Sequence, residues 1–200
     1  MSLPASYFDD FYGDREDPWG FTERWYEQRK FALTMAALPR ARYRSAFEPG
    51  CSVGVLTAML AQRCDHVLAT DVAQAALDQA ARRVPSNVEL RRWSLGESWD
   101  ERTHDLVVLS EVAYYLDEAD LAGALAEATS ALEPGGTLVA VHWRHRVSDY
   151  PQTGDGVHAQ IRTTPGLALV ASYADDDLLL DVFERSDAPV ASVAAREGLA

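Results

Sequence analysis

The chain has 200 residues, 48% hydrophobic and 24% charged, which suits one soluble globular domain carrying at most a small appendage. Its formal charge is −13, with Lys30 the only lysine, so long-range repulsion argues against DNA, large RNA or any other phosphate polymer as a partner. No apolar run reaches the roughly 20 residues of a bilayer span. Cys51 and Cys64 lack metal-ligand spacing, and the acidic N-terminus has no signal-peptide core, which predicts a cytoplasmic protein with reduced thiols and no metal.

Residues 1–40 are rich in aromatic and charged side chains and read as an N-terminal helical arm. Thr22 is a suitable N-cap for a helix running to about Leu38, where Pro39 stops it. Trp25, Phe31 and Met35 share a stripe of that helix, while Arg24, Arg29 and Lys30 lie close enough for a small basic patch. From Tyr43 short apolar runs alternate with helical patterns. The runs Ser45–Glu48, His66–Asp71, Val88–Trp93, His104–Ser110 and Gly136–Trp143 read as buried strands. Helices carrying Val55 to Leu60, Ala76 to Ala81 and Leu121 to Leu132 fall between them, the last stopped by Pro134-Gly135-Gly136. A further helix, Gly154–Arg162, is followed by strands Leu167–Tyr173 and Leu178–Arg185. Their short polar connection, Ala174 to Asp177, makes them an antiparallel pair. The expected fold is therefore α/β, a mostly parallel sheet covered by helices on both faces and finished by an antiparallel hairpin. Residues 41–186 form that domain, and 187–200 read as a frayed tail.

The turn after the first strand, Phe47-Glu48-Pro49-Gly50-Cys51-Ser52-Val53-Gly54, sits where open α/β sheets bind ligands. It lacks the lysine of a phosphate-binding loop and has Ser52 where a dinucleotide turn has its middle glycine. Two glycines behind a carboxylate are also more than a bare corner needs. Glu48 repels a pyrophosphate but suits a ligand that is cationic at that point. Here the sequence resembles the class I S-adenosylmethionine-dependent methyltransferases, whose first motif, an acid followed by x-Gly-x-x-x-Gly, is matched by Glu48, Gly50 and Gly54. That resemblance implies a Rossmann-like sheet of seven strands with S-adenosylmethionine as cofactor.

Asp71 ends the second strand, placed to accept hydrogen bonds from ribose hydroxyls. Asp71-Val72-Ala73-Gln74 equally spells a capping box, and one acid can serve both roles. In those methyltransferases the turn after the third strand binds adenine and often carries an acid; here Arg92-Trp93-Ser94-Leu95 departs from it, and the resemblance implies that Trp93, Ser94 and Leu95 flank the adenine. Ser110, Glu111 and Val112 leave the fourth strand, and the methyltransferase resemblance implies that they contact the cofactor under its sulfonium. Glu111 is read as orienting the acceptor, as taking its proton, or only as a cap or arginine partner. Tyr114 and Tyr115 follow as pocket walls or core. On the loop after the fifth strand His142, Trp143, Arg144, His145, Asp149, Tyr150, Asp155 and His158 gather at the same edge of the sheet. This density suggests an acceptor site, with Glu111, His142, Asp155 and His158 as proton acceptors and Tyr114, Tyr115, Trp143, Arg144 and Tyr150 as substrate contacts.

The segments Asp17–Phe21, Arg24–Lys30, Phe47–Cys51, Gly54–Thr57 and Ser110–Tyr115 together resemble the rhizobial nodulation N-methyltransferases, the NodS-like family. The resemblance implies that Trp19, Arg24 and Tyr26 close over the cofactor, Arg24 pairing with its carboxylate. It adds Ser52 and Val72 to the cofactor contacts. It also implies N-methylation of a small acceptor, a sugar amine such as a de-N-acetylated glucosamine unit. O-methylation, a catalytically silent S-adenosylmethionine-binding protein, and an NAD-dependent oxidoreductase are the competing readings.

Overall fold

A computed structural model describes residues 1–13, 15–99 and 102–200. The arm contributes helices α1 (Ala5–Tyr12) and α2 (Trp25–Ala37). The sheet and its covering helices follow as β1 (Tyr43–Pro49), α3 (Val55–Ala61), β2 (Cys64–Asp71), α4 (Gln74–Ala80), β3 (Val88–Arg92) and β4 (His104–Ser110). A short 3-10 turn (Ala113–Tyr115) leads to α5 (Glu118–Ala131), β5 (Leu132–Trp143), α6 (Gly154–Ile161), β6 (Leu167–Ala174), β7 (Leu178–Arg185) and α7 (Val193–Arg196). Among the described residues one seven-stranded sheet runs β3-β2-β1-β4-β5-β7-β6, parallel except for β7, which is antiparallel to both neighbours. Strand order reverses between β1 and β4, opening a crevice at their carboxyl ends.

Strand alternation divides the core. Ala46, Leu106, Val108, Val139 and Val141 face α2, α3 and α4, whereas Phe47, Val107, Leu109, Leu138 and Ala140 face α5 and α6. A third cluster, Tyr12, Val53, Ala73 and Ala76, seats the arm on the domain. No helix among the described residues is long and apolar enough to cross a membrane.

The strands and the closing hairpin lie where the apolar runs predict, with β1 and β2 starting two residues earlier and β5 starting at Leu132 rather than Gly136. The arm differs. Helix α2 begins at Trp25, and Thr22 instead donates its hydroxyl to Asp17 at 2.8 Å. Trp25 is 74% exposed, so the expected apolar stripe does not form. The buried face carries Glu27, Lys30, Phe31 and Thr34, because here the helix covers a polar cavity as well as the core. The basic patch dissolves, since Lys30 is buried and Arg29 pairs with Asp175 at 2.8 Å.

Three local expectations are also corrected. Helix α5 ends at Ala131, before Pro134, and passes directly into β5. The Pro-Gly-Gly stretch occupies the register shift between the pairs His104–Leu132 and Leu106–Thr137. No capping box opens α4, because Ala73 is its N-cap and the Gln74 side chain turns to Asp78. The tail holds one helical turn, α7, capped by Ser192 and tied to β7 by Arg196 Nη1 and Glu184 Oε2 at 2.7 Å.

Candidate functional site

A cavity of about 320 Å³ opens at the crevice between β1 and β4, within the size range of small-ligand sites. Its floor comes from the carboxyl ends of β1 to β5 and its roof from the arm. The turn after β1 forms one wall. Gly50 has φ 71°, and a Cβ there would stand 2.1 Å from Val112 Cγ1, so only glycine lets the two loops meet. Ser52, at φ 50°, is left-handed as well. Its N–H donates to Asp71 Oδ2 at 2.9 Å, and its hydroxyl is 2.5 Å from the Tyr12 hydroxyl.

Glu48 and Asp71 are the buried acids of this wall, 3% and 7% exposed. Burial, opposed by the Thr57 hydroxyl and helped by the nearby Asp71 charge, pushes the Glu48 carboxyl up to about 8, and its Oε2 has no partner at hydrogen-bond distance. Asp71 is pushed up to about 6 by burial, opposed by N–H donors from Ala73 and Ser52. It also accepts from Ala73 N at 2.9 Å, just before α4, while still lining the cavity.

Trp19, Arg24 and Tyr26 reach the cavity from the arm, and Val72, Trp93, Ser94 and Leu95 from the ends of β2 and β3. Arg24 has no ion pair among the described residues. The Tyr26 hydroxyl is buried without a partner, its ring edge-on to Trp143 with centroids 5.0 Å apart. Ser110, Glu111, Val112, Tyr114, Tyr115, Trp143 and Tyr150 complete the lining on the β4 and β5 side.

Glu111 has φ 59°, a left-handed backbone that costs a non-glycine residue about 1–3 kcal/mol and persists only where its surroundings hold it. Lys30 Nζ donates to its Oε1 at 3.0 Å; Trp143 N, at 3.2 Å, and the Tyr114 hydroxyl donate to Oε2. Glu27 stands on the other side of Lys30 with Oε2 2.6 Å from Nζ, and burial raises its pKa. The Lys30 ammonium also lies 5.4–5.5 Å from the ring centres of Phe21, Tyr26 and Phe31.

Six residues expected at the site lie elsewhere. Gly54, at φ 79°, brings α3 against α4, where a Cβ would be 3.0 Å from Ala80 Cβ. His142 and His158 are buried behind the cavity wall and bond to each other. His142 is still inside β5, and strand alternation turns its ring toward α6. Asp155 and Arg144 pair with each other on the outside, Arg144 Nη2 to Asp155 Oδ1 at 2.9 Å, because α6 carries Asp155 on its outer face. His145 likewise pairs outside the cavity with Asp177 at 2.8 Å. Conversely, Tyr12, Glu27 and Lys30 line the cavity without having been marked. For Glu27 and Lys30 the one signal is a helix whose charges interrupt its apolar period.

The lining carries four acidic side chains, Glu27, Glu48, Asp71 and Glu111, against two basic ones, Arg24 and Lys30. An unpartnered buried acid beside the glycine turn fits a cationic group, and a second acid at the end of β2 fits a diol. Fold and crevice are those of the class I S-adenosylmethionine-dependent methyltransferases. Within that class the chain belongs to the NodS family, Nodulation protein S, whose family model matches residues 12–160. It is 31% identical to a Nodulation protein S of Rhizobium tropici over 128 residues, covering 62% of this chain and 54% of that protein. The match thus spans little more than half the length of the curated relatives. The crystal structure of a candidate methyltransferase from Pseudomonas syringae is 41% identical, with a TM-score of 0.71 over 81% of this chain and 100% of that one. The Bradyrhizobium japonicum NodS N-methyltransferase, solved with S-adenosylhomocysteine, shares the fold at 24% identity, with a TM-score of 0.81 over 90% of this chain and 97% of that one.

Proposed function

We propose that this chain is an S-adenosylmethionine-dependent methyltransferase acting on the amine of a small acceptor, a sugar amine in the first instance. The observation that carries the reading is the buried acid Glu48 beside the Gly50 turn, whose Oε2 has no partner at hydrogen-bond distance, with Asp71 one strand away. Family membership supports both the donor and nitrogen as the receiving atom. Asp71 would hold the ribose diol, Glu48 the cationic end of the methionyl portion, and Arg24 its carboxylate, with Trp19 and Tyr26 closing over them. Trp93, Ser94 and Leu95 would flank the adenine. In that place the cofactor supplies a methyl group on a sulfonium, ready for in-line displacement.

The chain's own residues then have two tasks. Tyr26, Tyr114, Tyr115, Trp143 and Tyr150 exclude water and hold the acceptor, which is where most of the rate would come from. The amine must also lose a proton. Glu111 is occupied by three donors, Lys30, Trp143 N and the Tyr114 hydroxyl, and orients the site. Glu27, raised by burial, is the better proton acceptor. Glu27→Gln should then lower kcat about 100-fold while leaving S-adenosylhomocysteine affinity within a factor of about two. An unchanged kcat would remove Glu27 from this role.

The reading itself is tested by calorimetry with S-adenosylhomocysteine and by transfer of labelled methyl to a panel of amino sugars and their hydroxyl analogues. Binding with transfer to amines is the expected result. Transfer only to hydroxyls would make it an O-methyltransferase, and binding without any transfer a silent cofactor-binding protein. No heat from S-adenosylhomocysteine together with tight NADH binding would overturn the reading.

A further inference from the structure

Two histidines singled out by the sequence are left unused by the cavity. His142 is fully buried and His158 is 1% exposed, between β5 and α6. They belong to one line of hydrogen bonds. Ala113 N donates to His142 Nε2 at 3.2 Å, His142 Nδ1 lies 3.1 Å from His158 Nε2, and His158 Nδ1 lies 2.8 Å from Asp181 Oδ2. Asp181 is fully buried on β7, and Arg162 donates to both of its oxygens at 2.8 Å.

The two ends decide where the protons sit. A backbone N–H can only donate, so His142 Nε2 carries no hydrogen. A carboxylate held by a guanidinium accepts, so His158 Nδ1 carries one. Burial, with His158 and Lys30 adding to it, keeps His142 neutral. His142 Nδ1–H therefore donates to His158 Nε2, and no ring nitrogen has a free choice.

The far end of this line is the turn that enters the cavity. Three successive residues of β5 hold it: Val141 O accepts from Glu111 N at 2.9 Å, the His142 ring accepts from Ala113 N, and Trp143 N donates to Glu111. The first and third bonds use backbone groups of β5 that any residue there provides. The ring nitrogen is the one side-chain group of β5 among the three. A small movement of the turn would also matter, because Val112 fills the space a Gly50 Cβ would take.

We infer that His142, His158 and Asp181 are positioning residues, a proton-ordered strut that fixes the Glu111–Ala113 turn and through it the alignment of donor and acceptor. The strut is independent of the proposed reaction; its effect on methyl transfer rests on that reading.

The test uses the whole chain with S-adenosylhomocysteine as probe. His142→Leu removes the acceptor and should speed Ala113 amide exchange and weaken S-adenosylhomocysteine binding, each about tenfold, as expected of a buried donor left unpaired. His142→Gln presents an acceptor and a donor on one planar group, and should restore both. Asp181→Asn keeps both rings but changes the end that orders their protons, and should alter the imidazole ¹⁵N shifts of His142 and His158. If His142→Leu fails to fold, the Asp181→Asn spectra and the Gln variant carry the decision. Unchanged Ala113 exchange in the Leu variant, or a Gln variant as impaired as Leu, would overturn the strut. Were the wild type to bind no S-adenosylhomocysteine, the functional reading would fall while amide exchange and ¹⁵N shifts still judged the strut.

Discussion

Glu48 and Asp71 are acids whose surroundings favour the protonated form, and that has a measurable sign. Between its ordinary 4.5 and about 8, folded Glu48 keeps a proton that the unfolded chain has lost. Stability from this group is therefore full below that window and falls as pH rises through it. Asp71 acts in the same direction between 3.8 and about 6. The Tm of the ligand-free protein should decline from about pH 6 to 8, and Glu48→Gln should flatten that decline; a wild-type Tm level across this range would refute the assignment. A cation placed beside Glu48 should expel the proton, visible as buffer-dependent heat in calorimetry. Asp71→Ala should weaken S-adenosylhomocysteine binding by more than the roughly 1 kcal/mol of one lost hydrogen bond. Equal affinity would leave Asp71 its bond to Ala73 alone. Both acids were legible because a glycine turn and a strand end fix where a side chain emerges. His142 was not, because the sequence marks where a strand is but not which face a residue near its end presents, and His158 was not, because it lies on the face of α6 that packs against β5 rather than on a loop.

At the level of elements, the arm was the least legible part. Charged residues at a helix face usually mean solvent, and here Glu27 and Lys30 face a cavity instead. The segment joining α1 to α2 depends on Asp17, whose carboxylate accepts from Gly20 N at 3.0 Å, Phe21 N at 3.0 Å and Thr22 N at 2.9 Å. That knot sets Trp19 and Phe21 over the cavity, where their rings stack with centroids 5.8 Å apart. Asp17→Ala should weaken S-adenosylhomocysteine binding about tenfold, through lost charge-assisted bonds. The sheet should be unaffected, so the main thermal transition should move little. A large fall in Tm would mean that the arm is part of the core rather than a cover. The β-strands and the final hairpin were legible for a simple reason: continuous apolar runs occur where both faces of a sheet are covered, and a short polar link allows only antiparallel pairing.

Across the whole molecule, the order of strands puts every cavity-lining loop at one edge, so a chain with only local signals still builds one site. The glycine turn, the β2 acid and the Ser110–Val112 turn are far apart in sequence and meet because β1, β2 and β4 are neighbours. The arm then supplies what the sheet cannot, a roof. Lys30 gives that roof an intrinsic reporter. It carries the only side-chain primary amine in the protein, and it is 1% exposed beneath the arm. An amine-directed acylating reagent at neutral pH should modify the α-amino group at once and Lys30 only when the arm lifts. The rate of the second modification, followed by intact mass, would read out arm opening directly, and S-adenosylhomocysteine should slow it. A second label as fast as the first would mean that the roof does not stay closed in solution.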